Sequence, residues 1–323
     1  MKKIKIITVF ILCLIMCAGC GVFLGKLSWP KVLTEGNDKV EHNEMCIISD
    51  DFSVTINVKK GIELTSVYDK KLEHEYISIP NGLFDFTLDE KTYSSQKDLT
   101  VLGTKKDEEG FHIRAKSEEA EVTFNLVIKP DPNAAAILME CYVSNDSKET
   151  KYIVMTYPEI LPVNIPGNKA DICAAIPQEG GWVSAYDSNS VLGFSPVVAT
   201  APTKNAEDAS GGLPTCINAM EVLSVYNKKG EGGLFIANVD GEMGADIAPI
   251  HMLINRQLLE GHCVAQLEKG KYCQLSTIAF GAIREGDWHE AVDYYTAKHS
   301  NTMEYPDIPT WLKNSPKGSN RPP

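Results

Sequence analysis

Val122-Thr-Phe-Asn-Leu-Val-Ile128 is followed by Lys129-Pro-Asp-Pro-Asn133 and then by Ala136-Ile-Leu-Met-Glu-Cys-Tyr-Val143. Val122, Phe124, Leu126 and Ile128 fall at every second position, the period of a strand with one buried face. Pro130 and Pro132 lack backbone donors and set a turn between two runs of similar length. The stretch therefore predicts an antiparallel hairpin, and it sets the fold class to all-β.

The same period recurs on both sides. Phe52, Val54, Ile56 and Val58 alternate with polar residues, and Ile62, Leu64, Val67 and Tyr68 continue after a turn at Lys59-Lys-Gly61. Shorter strands are expected at 83–88, from 112 onward and at 152–157, with Pro158, Pro162 and Pro166 then stopping regular pairing. Further strands are expected at 221–226 and 233–238, then at 252–258, 263–267 and 273–280. A hairpin turning on Lys269-Gly270 would set Cys273 opposite Gln266. Strands this closely spaced, with no internal repeat, argue for a two-layer antiparallel sandwich.

One helix is expected outside the first 25 residues: Gly286-Asp-Trp-His-Glu-Ala-Val-Asp-Tyr-Tyr-Thr-Ala-Lys-His-Ser300. Asp287 is its N-cap, with Glu290 three positions on as the partner of a capping box. Trp288, Ala291, Val292 and Tyr295 form one helical face, on which Trp288 and Tyr295 would pack the helix to the sandwich.

Three segments resemble one family. The terminal helix with its Pro309-Thr-Trp-Leu312 exit is similar to the helix that ends the N-terminal β-sandwich of certain glycoside hydrolases. The segments Gly61-Ile-Glu-Leu-Thr-Ser-Val-Tyr-Asp-Lys-Lys71 and Gly232-Gly-Leu-Phe-Ile-Ala-Asn-Val-Asp240 resemble strands of the same domain. That domain is a galactose-mutarotase-like supersandwich, and in those enzymes it leads into a catalytic (β/α)8 barrel. The resemblance covers about residues 46–312 and implies the front domain of a sugar enzyme. Eleven residues follow Leu312, against the roughly 250 that a barrel takes. The paired carboxylates of glycoside hydrolysis would lie in that barrel. The expectation is a carbohydrate-binding or structural module that is not catalytic alone, with the barrel as a possible separate chain.

The N-terminus carries Lys2, Lys3 and Lys5 before an uncharged run at 6–24, the pattern of an export signal. Cys17-Ala-Gly-Cys20 makes Cys20 a lipidation candidate, although Cys17 and the apolar Gly-Val-Phe-Leu after Cys20 depart from the lipoprotein pattern. The run is also just long enough to span a bilayer uncleaved. Lipoprotein, uncleaved anchor helix and simple secretion all put the bulk of the chain outside the cytoplasm, in the first two cases tethered to a bacterial cell membrane. The expected organisation is a signal or anchor at 1–26, a polar tether at 27–45, the sandwich at 46–285, helix and exit at 286–312, and a disordered tail at 313–323.

Of nine cysteines, Cys46, Cys141, Cys173, Cys216, Cys263 and Cys273 lie beyond the signal. Disulfides are permitted in that compartment, but the residues read more simply as small buried hydrophobes. Their spacing offers no zinc site, and no metal or cofactor is expected. A net charge of -12 without a basic cluster argues against a nucleic-acid partner.

Sugar binding needs an aromatic face beside carboxylates or amides. Trp182 and Tyr186, flanked by Glu179 and Asp187, supply that combination, against the plainer reading of Trp182 as a core plug. Asp240, Glu242 and Asp246 read as a solvated acidic loop. An aldose-epimerase-like enzyme would need a His and a Glu across a sugar pocket. His251 and His262 flank a strand that could face such a pocket. A third reading is an envelope protein-interaction module using the helix and Trp311.

Overall fold

The computed structural model describes residues 39–88, 90–160, 163–176, 182–185, 220–240, 248–255 and 258–300. The first half holds β1 (Glu44–Ser49), β2 (Phe52–Asn57), β3 (Glu63–Asp69), β4 (His74–Glu75), β5 (Asn81–Gly82), β6 (Asp85–Leu88) and β7 (Lys91–Ser94). Then come β8 (Thr100–Asp107), β9 (Gly110–Ser117), β10 (Val122–Pro130), β11 (Ala136–Asn145) and β12 (Lys151–Ile160). The second half holds β13 (Ile172–Ile176), β14 (Trp182–Ala185), β15 (Val222–Asn227), β16 (Gly233–Asn238), β17 (Ala248–Asn255), β18 (Leu258–Leu267), β19 (Tyr272–Gln274) and β20 (Ile278–Ile283). Helix α1 (Trp288–His299) closes the described chain.

The β10–β11 hairpin forms as expected, and its register runs from Val122 opposite Asn145 to Pro130 opposite Ile137. It lies inside a ten-stranded sheet ordered β14-β13-β15-β16-β20-β11-β10-β9-β8, with β19 also pairing β11. Two five-stranded sheets complete the strands: β1 to β5, and β17-β18-β12-β6-β7. All these strand pairs are antiparallel.

One face of the large sheet packs on the smaller sheets through a continuous apolar core. Phe124 and Ile128 of β10 join Phe52, Val54 and Ile56 of β2, and Phe86 and Met155 of the third sheet. Phe124 sits 4.8 Å from Phe86 and 5.2 Å from Phe84 between ring centroids, within range of favourable tilted aromatic contact.

Four details differ from the sequence reading. Strand β8 forms where no strand was expected. Its Lys105-Lys106-Asp107 end looks like a turn because its outward residues are polar. Strand β12 runs through Pro158 to Ile160 instead of stopping, with a register shift between Thr156 and Glu159 that accommodates the missing donor. Residues 263–267 and 273–280 do not make a hairpin on Lys269-Gly270. Strand β18 pairs β12 and β17, whereas β19 crosses to β11, so Cys273 lies opposite Val143. The expected strand at 273–280 is split between β19 and β20, which meet β11 at different points along its length.

Residues 6–24, the expected signal or anchor helix, lie outside the described residues. Among the described residues no helix is long and apolar enough to cross a membrane.

Candidate functional site

The large sheet has a second face, and its left and right halves differ. Since Phe124, Leu126 and Ile128 enter the core, Thr123, Asn125 and Val127 point the other way. Register extends that phase across strands. Arg114 of β9 pairs with Asn125, Asn125 with Tyr142 of β11, and Tyr142 with Gln274 of β19. Four polar or aromatic side chains thus form one row, although they are 160 positions apart in the chain from Arg114 to Gln274. The neighbouring row runs His112, Val127, Glu140.

The row is largely buried. Asn125 is 5% exposed, Arg114 8% and His112 2%. Its rim is satisfied. Thr123 donates to Asp146 at 2.6 Å and Ser144 donates to the same carboxylate at 3.0 Å. His112 Nε2 meets Asp107 Oδ1 at 2.9 Å, and Lys105 donates to Asp107 Oδ2 at 3.2 Å. Burial opposes ionisation of Asp107, but these bonds outweigh it and hold its carboxyl below the usual range. Glu140 pairs with Lys129 and accepts from the Tyr142 hydroxyl at 3.3 Å. Burial, and then the Glu140 carboxylate, push the Tyr142 phenol up to about 12. At the centre the pattern breaks: the Asn125 Nδ2 donor, sealed from solvent, has no hydrogen-bond partner. A buried unmade donor costs on the order of 1–3 kcal/mol.

The other half of this face is covered. Helix α1 lies over Val222, Tyr226, Phe235, Ala237 and Ile283, burying Ala291, Tyr295 and His299 at a spacing of four. Asp287 caps it by accepting from His289 N at 3.0 Å. Glu290 does not close the expected box on Asp287. It reaches further back and accepts from the amides of Arg284 at 3.0 Å and Glu285 at 2.9 Å. Tyr294 and Lys298 fasten the helix to buried Asp131, at 2.7 and 2.6 Å.

Beside the helix runs a groove of about 900 Å³ lined by Asp50, Lys71, Phe235, Arg284, Glu290 and Lys298 among others. Its cations are engaged within the protein. Buried Arg284 holds Asp69 through Nε at 2.7 Å and Asp50 through Nη1 at 2.7 Å, while Lys71 meets Glu285 at 2.7 Å. The groove is self-neutralised.

Of the residues named from sequence, Trp182 stands on the edge strand β14, opposite Ile176. Six strand steps separate β14 from β10, about 29 Å at the usual spacing of roughly 4.8 Å, so Trp182 and Asn125 belong to different places on the sheet. Glu179, Tyr186, Asp187 and Cys20 lie outside the described residues, as do Glu242 and Asp246. Tyr295 is buried under the helix. Trp288 is half-buried, stacked on His289 with ring centroids 3.7 Å apart. His251 and His262 are backbone partners on β17 and β18, in the third sheet and not the large one. Asp240 accepts from Thr277 N at 2.5 Å.

Sequence reasoning did not find the Arg114, Asn125, Tyr142, Gln274 row. The one local signal was Asn125 itself, a polar residue in the middle of a largely apolar strand.

No protein-family model and no curated protein matches this chain. In structure it is similar to a GH36 α-galactosidase of Geobacillus stearothermophilus, with 10% identity, 76% of this chain and 40% of that one covered, and a TM-score of 0.46. An α-galactosidase of Lactobacillus brevis gives 9% identity, 80% and 42% coverage, and 0.47. A galactose-mutarotase-related enzyme of Lactobacillus acidophilus gives 13% identity, 76% and 98% coverage, and 0.44. The chain spans about two fifths of the α-galactosidases' length.

Proposed function

We propose that this protein is an extracytoplasmic β-sandwich module, tethered to the membrane through its N-terminus, that binds carbohydrate on the polar half of its large sheet. The unmet Asn125 donor carries the reading. A sandwich under no other constraint would place an apolar or solvated residue there. A buried amide flanked by Arg114 and Tyr142 has instead the chemistry to donate to a sugar hydroxyl oxygen, with the Tyr142 ring as an apolar surface beside it.

Glycan-array screening followed by calorimetry on the full chain tests this. Asn125→Leu is expected to weaken the selected glycan by at least about ten-fold, the effect of one lost buried hydrogen bond. Undiminished affinity in that variant removes the site. Trp182→Ala is expected to bind as the parent does, because it lies at the far edge of the sheet.

The enzyme alternative has one favourable observation: His112 and Glu140 share a face with Val127 between them. Both are already engaged, His112 by Asp107 and Glu140 by Lys129, so binding is the better-supported reading. Anomer interconversion by the purified chain at a rate above buffer, lost in His112→Asn, would reverse that preference.

A further inference from the structure

A second concavity, of about 420 Å³, lies at the other end of the molecule, where the described chain begins. Its charged lining is Lys59, Lys60 and Lys97, with no acidic side chain. That is unusual in a protein of net charge -12. Most other lysines of the described residues have carboxylate partners, as in Lys70 with Asp51 or Lys116 with Glu118. Among the described residues no ion pair engages these three. Two acids close in sequence are occupied elsewhere: Glu63 accepts from Gln96 Nε2 at 2.7 Å, and Asp98 accepts from Ser94 N at 2.7 Å.

The convergence is built into the backbone. Gly61 has φ +83°, and a Cβ there would lie 2.2 Å from the Gln96 carbonyl oxygen. Only glycine lets the β2–β3 turn, which carries Lys59 and Lys60, lie flush on the segment that carries Lys97. Three exposed lysines lining one concavity with no acid among them make a locally positive surface that an anion complements.

The chain's path identifies the anion. Val40 lines the same concavity, and the segment is pinned there by Thr104, whose N–H donates to the Lys39 carbonyl at 3.0 Å. The Thr104 hydroxyl accepts from the amides of Glu41 and His42, both at 3.0 Å. Residues 25–38 separate this point from the apolar run at 6–24. Fourteen residues span at most about 50 Å even when fully extended. The lysine face therefore lies where such a tether would join the domain.

We infer that the Lys59, Lys60, Lys97 face docks the domain onto anionic lipid headgroups of the membrane that anchors it. This rests on the tethering proposed above. Docking at this end would orient the domain relative to the surface. Each lysine at an anionic surface is expected to strengthen contact about five-fold, and salt to weaken it.

The full chain reconstituted with vesicles provides the test, using neutral phosphatidylcholine alone or with 30% phosphatidylglycerol. Co-flotation with neutral vesicles reads the hydrophobic anchor, and its absence overturns the tethering alone. The lysines are read separately, by labelling with a membrane-impermeant amine reagent and mass spectrometry, with exposed Lys148 and Lys169 as internal references. Labelling of Lys59, Lys60 and Lys97 is expected to slow at least five-fold on anionic vesicles relative to neutral ones, with the difference lost in 0.5 M salt. If the chain does not float with neutral vesicles, flotation with anionic ones should still be lost in the Lys59→Gln, Lys60→Gln, Lys97→Gln variant. Equal labelling on both vesicle types, or flotation on anionic vesicles unchanged in the triple variant, overturns the docking proposal.

Discussion

The two halves of the outer face of the large sheet solve one problem in opposite ways. Around β15, β16 and β20 the exposed side would be apolar, with Phe235, Ala237 and Ile283, and the protein covers it with its own helix. Around β9, β10 and β11 the face is polar, and Asn125 at its centre lacks a partner within the chain. The helix-covered half is complete as folded. The polar half is as deeply buried at His112, Arg114 and Asn125, but it leaves one donor unmet. A sheet that buries one face uniformly can still divide the other between stability and recognition.

The largest expected effect breaks the covered half. Tyr295→Ala removes the buried aromatic that seats the helix and should cost about 3 kcal/mol, as large-to-small core substitutions do. Urea unfolding measures it. Glycan affinity, measured under native conditions, should stay at the parent value because the polar row does not touch the helix. A parallel loss of affinity would show that the two halves are one unit. Asn125→Leu should act in the opposite sense, stabilising by about 1 kcal/mol by removing an unmade buried donor while binding falls. If stability also falls, Asn125 is structural and the contrast between the halves disappears.

This division was only partly legible in the sequence. The β10–β11 hairpin and α1 announce themselves through local signals: period two around a Pro-bearing turn, and an Asp cap before an apolar stripe. Strand β8 was missed because Lys105, Lys106 and Asp107 read as solvated turn residues when only their polarity is visible. Lys105 instead reaches Asp107 on the polar face. The row from Arg114 to Gln274 could not be read at all, because each strand pairing that assembles it is a matter of register between distant segments. The aromatic pair at Trp182 and Tyr186 drew notice for its composition, yet the backbone sets Trp182 on the far edge.

Acid should act on both halves through carboxylates held below their usual range. For Asp131, burial opposes ionisation, and the bonds from Lys298, Asn133 N and Tyr294 overcome it. For Asp107, His112 and Lys105 do the same. A carboxyl depressed on folding stabilises the protein above its unfolded value near pH 3.9, and that contribution fades as pH falls through the folded value. Urea midpoints from pH 7 to pH 2 should therefore drop most steeply below about pH 4. Asp131→Asn and Asp107→Asn should each begin less stable at pH 7 and lose less on acidification. An unchanged acid slope in Asp131→Asn would mean that the pairing with Lys298 does not hold the helix down.

The smallest effect is the sharpest probe of the polar half. Tyr142 titrates near 12 because burial and the adjacent Glu140 carboxylate both penalise the phenolate. Glu140→Gln removes the charge and leaves the burial, so the phenol should titrate lower than in the parent but still above an ordinary tyrosine. Site-resolved NMR of labelled tyrosine distinguishes it from Tyr226, which burial, and then Cys173 and Asp287, raise to about 12 and which should not move because Glu140 is not among the groups that raise it. A bound glycan that covers the Tyr142 ring should raise its pKa further by excluding water, and should leave Tyr226 where it is. If Tyr142 and Tyr226 respond alike to both changes, the polar half carries no ligand of its own, and the polar row is an incompletely satisfied piece of core.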